Sequence, residues 1–111
     1  SDVQISGILE LHTFSSINKK FIHQYKDSMN KLSQAAIYYD PNTALSKKME
    51  ILTPAEIKLA FNRTDLTIIQ NPEDLENYIQ RTCHGNKVLL LMSSGNFGGF
   101  DVRKINWSSR V

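Results

Sequence analysis

The sequence predicts an α/β domain with a mostly parallel sheet and helices on both faces. Three observations carry that expectation. Val88 to Met92 is an unbroken apolar run, as a strand covered on both faces requires. Thr53-Pro54 and Asn71-Pro72 are helix-start signals that alternate with short apolar runs. Gly95, Gly98 and Gly99 follow the last run at once, so the chain turns abruptly from core into a loop able to approach a ligand.

Taken in order, Gln4 to Leu11 reads as a strand centred on Ile8 and Leu9, with Glu10 the first polar residue near its end. Ser15 or Ser16 can cap a following helix whose apolar positions are Ile17, Phe21, Ile22, Tyr25, Met29 and Leu32. Ala35 to Tyr39 is the second strand, closed by Asp40-Pro41-Asn42-Thr43 as a turn. Ala44 to Leu52 has no convincing period and reads as an exposed connection with room for a turn of helix. Thr53, Pro54 and Glu56 form a capping box before a helix that buries Ile57, Ala60 and Phe61.

Leu66 to Ile69 is a short strand, expected nearer a sheet edge than Val88 to Met92. Asn71, Pro72 and Asp74 start the next helix, with Leu75, Tyr78 and Ile79 as its stripe and Gly85 near its end. After the last strand, Phe100 to Trp107 is expected to form a short helix before a loose tail. The order β-α-β-(α)-β-α-β, joined by short connections, implies right-handed crossovers and a Rossmann-like sheet.

Composition narrows the function. The chain has 111 residues and a formal charge of +2, with acids and bases intermixed. One domain of modest core fits that length, and the absence of a basic stripe argues against nucleic acid. Cys83 is the only cysteine, which excludes an internal disulfide and cysteine-rich zinc sites. No run approaches the roughly 20 apolar residues of a membrane span, and a cytoplasmic location is expected.

Two segments could bind a ligand. His12-Thr13-Phe14-Ser15-Ser16 joins the first strand to its helix, where His12 could engage a carboxylate or phosphate and Thr13, Ser15 and Ser16 could share an anion with backbone N–H groups. Ser93-Ser94-Gly95-Asn96-Phe97-Gly98-Gly99 can present N–H groups and hydroxyls as a nest, with Phe97 shaping an amino-acid pocket. It is neither a lysine-bearing phosphate loop nor a dinucleotide fingerprint, and a tight structural turn is its plain alternative. Parallel strands would put both segments on one sheet edge.

No catalytic or metal-ligating set assembles. Neither Ser93 nor Ser94 lies in GxSxG, adjacent Cys83 and His84 do not make a nucleophile and base, and His23 reads as a surface residue. Asp40, Asp65 and Asp101 lack calcium-loop spacing.

Glu10-Leu11-His12-Thr13-Phe14-Ser15-Ser16 and Leu90-Leu91-Met92-Ser93-Ser94-Gly95-Asn96-Phe97-Gly98-Gly99, in that order, resemble the C-terminal domain of the Mur ligases. The nearest branch is that of UDP-N-acetylmuramate:L-alanine ligase and the murein tripeptide ligase. Members join an amine to the carboxylate of a UDP-muramyl substrate through an acyl phosphate, in peptidoglycan synthesis or recycling. The resemblance implies that 1–111 is a truncated C-terminal domain lacking its first strand-helix unit, inactive alone, with ATP and magnesium held mainly by absent N-terminal and central domains. It implies that His12, Thr13, Ser15, Ser16, Ser93, Ser94, Gly95, Asn96 and Phe97 position an amino-acid or peptide acceptor. Arginines of the alanine-adding pattern are replaced by Thr13 and Ser16, which removes the usual bidentate carboxylate clamp. A non-catalytic phosphate- or nucleotide-binding module and a protein-interaction module are the competing readings.

Overall fold

A computed structural model describes residues 4–12, 17–82, 87–93, 97–99 and 101. Its strands are β1 (Gln4–Glu10), β2 (Gln34–Tyr38), β3 (Thr67–Ile69) and β4 (Lys87–Met92). Its α-helices are α1 (Pro41–Ser46), α2 (Pro54–Phe61) and α3 (Pro72–Thr82). The four strands form one sheet in the order β3-β2-β1-β4, and all its pairings are parallel. This is the α/β architecture expected.

Strand alternation divides the core in two. Ile8, Ala36, Tyr38 and Ile69 pack against Leu75, Tyr78 and Ile79 of α3. On the other face, Leu11, Ala35, Ile37 and Tyr39 meet Ile57 and Phe61 of α2, together with Ile17, Ile22 and Met29. Burying aliphatic and aromatic side chains of this size stabilises each by about 1.5–3 kcal/mol.

The two capping motifs form as expected. Thr53 accepts from the Glu56 N–H at 3.2 Å while the Glu56 carboxylate accepts from the Thr53 N–H at 2.9 Å. Asn71 accepts from the Asp74 N–H at 2.9 Å and donates back to the Asp74 carboxylate. Asp40-Pro41-Asn42-Thr43, expected to be a turn, starts a helix instead: Asp40 accepts from the Asn42 N–H and Pro41 opens α1, which buries Ala44. Six residues are too few for a helical period to emerge from the sequence.

Two further expectations are corrected. Residues 17–32 form turns around a 3-10 segment, Ile22–Tyr25, in place of an α-helix. Asp27 has φ 64°, and its N–H donates to the Phe61 carbonyl at 3.2 Å. A tertiary partner thus replaces the helical one four residues back. The apolar spacing still marked burial, since Ile17, Ile22 and Met29 are inside. Phe21, however, is 42% exposed.

β4 is the second correction. It lies at a sheet edge rather than being covered on both faces, and Val88 and Leu90 are exposed while Leu89 and Leu91 pack inward. A run of identical apolar character hides this alternation. Among the described residues no helix is long and apolar enough to cross a membrane. Gly85 and residues 102–107, expected to close α3 and form a short helix, lie outside the described residues, as does Phe100.

Candidate functional site

Parallel pairing brings the carboxyl ends of β1, β2 and β4 to one edge of the sheet. In register, Glu10 lies beside Tyr38 and Leu9 beside Met92. The Leu11 N–H extends the ladder by donating to the Tyr38 carbonyl at 2.9 Å. His12 and Ser93 therefore leave the sheet close together.

Glu10 joins them. Its side chain is 5% exposed, and one carboxylate oxygen, Oε1, accepts from the Phe97 N–H at 3.0 Å and from the Ser93 hydroxyl. Its second oxygen, Oε2, faces the Nδ1 of His12 at 3.8 Å, an ion-pair rather than a hydrogen-bond distance. A buried carboxylate without donors would be costly, so these contacts are what permit Glu10 to end an apolar strand.

Phe97 completes the arrangement from the loop side. It opens a 3-10 turn, Phe97–Gly99, in the left-handed region at φ 53°. A non-glycine residue there costs of order 1–3 kcal/mol and persists only where its surroundings hold it. Here the N–H is held by Glu10 and the ring is buried, tilted against Tyr38 with centroids 6.0 Å apart.

The Tyr38 hydroxyl is fully buried and has no hydrogen-bond partner among the described residues. Burial, reinforced by the Asp40 and Glu10 carboxylates, pushes its pKa up to about 12. The phenol therefore keeps its proton and remains a donor. Glu10 thus gathers the His12 imidazole and the Ser93 hydroxyl at the sheet edge, with the buried Tyr38 ring behind Phe97.

Of the residues expected to bind ligand, His12, Ser93 and Phe97 are thus brought together, whereas Thr13, Ser15, Ser16, Ser94, Gly95 and Asn96 lie outside the described residues. Sequence reasoning missed Glu10 as the hub and Tyr38 as its neighbour. The available signal was spacing: Glu10 precedes His12 by two residues, which puts both on one side of an extended chain.

Other polar candidates have local roles. Asp40 caps α1 and Asp65 binds Arg63 at 2.7 Å. His23 is exposed; Cys83 and His84 lie outside the described residues. Among the described residues, no group of three or more His, Cys, Asp or Glu is placed to hold a metal ion. Comparison with protein-family models, curated proteins and solved structures gives no match to this chain.

Proposed function

We propose that this chain is the acceptor-positioning domain of an ATP-dependent Mur-type ligase that attaches an amino acid or peptide to a UDP-N-acetylmuramate substrate. The observation that supports this reading is the convergence of His12, Ser93 and Phe97 on Glu10. Nothing local in the sequence relates His12 to Ser93 and Phe97, and their meeting at one buried carboxylate supports reading them as one preorganised set.

Preorganisation is the contribution asked of such a domain. Holding an amine in a near-attack geometry converts a bimolecular step into an effectively unimolecular one. Phosphorylation of the muramyl carboxylate, with ATP and magnesium, belongs to other domains of the ligase. This chain supplies the surface that holds the acceptor.

The test is amide formation by the longer protein that carries the domain, with ATP, magnesium and UDP-N-acetylmuramate. His12→Ala is expected to lower kcat/KM at least tenfold while the thermal midpoint is retained. Wild-type turnover by that variant would overturn the assigned role. The 111-residue chain alone is expected to give no turnover.

A further inference from the structure

We propose that Glu10 is a positioning residue that places the proton of neutral His12 on Nδ1, so that Nε2 accepts a hydrogen bond from a primary amine. Glu10 is anchored by the two donors on its Oε1, which hold Oε2 opposite the imidazole. The 3.8 Å contact is made by Nδ1. An ionised carboxylate only accepts, so a proton on Nδ1 meets an attractive partner whereas a lone pair there meets a repulsive one.

Nε2 is then left with its lone pair. The His12 side chain is 42% exposed, and with Nδ1 turned to the carboxylate, Nε2 is the ring nitrogen left to meet a ligand. An amine N–H complements it. A carboxylate or phosphate oxygen would bring lone pair against lone pair and approach the charge of Glu10 as well. The chemistry of His12 thus favours the amine of an acceptor over the anion considered from sequence. Naming that amine as the attacking group rests on the ligase reading; its recognition by His12 does not.

The experiment is nitrogen-15 NMR of the His12 ring in the intact chain, with the imidazole neutral. Wild type is expected to show Nδ1 protonated and Nε2 bare. In Glu10→Gln, the side-chain amide can keep its oxygen toward Ser93 and Phe97 and turn its NH2 toward His12, inverting the tautomer. Asp65→Asn, which touches the Arg63 pair and not Glu10, is expected to retain the wild-type pattern. A wild-type ring protonated on Nε2, or a folded Glu10→Gln with an unchanged tautomer, would overturn the proposal.

Titration supplies an independent readout if Glu10→Gln does not fold. L-alaninamide is expected to shift the His12 signals, and acetate to leave them in place. Shifts from acetate alone, or from neither probe, would reject amine recognition. These outcomes are separable from failure of the ligase assay, because they are read on the ring itself.

Discussion

Two polar hubs tie distant parts of this chain together, and they are built differently. Arg63, 12% exposed, donates to the Met29 and Ser33 carbonyls and to both oxygens of Asp65. The Met29 and Ser33 carbonyls tie residues 29–33 beside the end of α2, and Asp65, itself 66% exposed, pairs with the guanidinium through both oxygens. Glu10 also gathers donors from distant sequence, but its second oxygen faces a half-exposed imidazole. A hub whose acceptors are two backbone carbonyls and one neighbouring carboxylate stabilises. One with an open side also presents chemistry.

Arg63→Ala should have the largest effect on stability, a loss of about 1–2 kcal/mol in urea unfolding, because the part-buried Met29 carbonyl loses its donor. His12 ring signals should be unchanged in the folded fraction. Glu10→Gln reverses that pattern: a loss of about 1 kcal/mol or less, with the His12 signals altered. Equal stability losses in the two variants would erase the distinction between the hubs.

Acid offers a smaller perturbation. Hydrogen bonding from Arg63 holds the Asp65 carboxyl below its ordinary value of 3.8. A depressed folded value stabilises the protein above the unfolded one, and that contribution is lost as pH falls through the folded value. The thermal midpoint should therefore drop on acidification below about pH 4, and Asp65→Asn should make the drop shallower. An unaltered pH profile in Asp65→Asn would count against the pair.

Tyr38→Phe should have the smallest effect. It removes a buried hydroxyl without a partner among the described residues and keeps the ring against Phe97, so stability should stay level or rise by about 1 kcal/mol. Chemical denaturation measures this directly. A clear loss would reveal a hydrogen bond that balances the hydroxyl's burial.

Legibility in the sequence followed the range of the interactions. The capping box of α2 and the Asn71 cap of α3 are local, with donor and acceptor three residues apart, and both could be read directly. The backbone of residues 17–32 is decided by Asp27 meeting Phe61, a contact no local pattern announces. Likewise, the position of β4 depends on strand order, which apolar character does not encode. At the site, His12, Ser93 and Phe97 were visible as polar or unusual residues beside strand ends. Glu10 was hidden because a carboxylate at a strand end normally marks the return to solvent, and only its donors from residues 93 and 97 make burial tolerable.

The edge position of β4 also governs how the isolated chain behaves at high concentration. No described strand pairs with its outer side, and exposed Val88 and Leu90 lie along it without a charge between Val88 and Met92. Such an edge templates strand addition between molecules. Self-association by this route is expected to grow with concentration, and Leu90→Lys to reduce it.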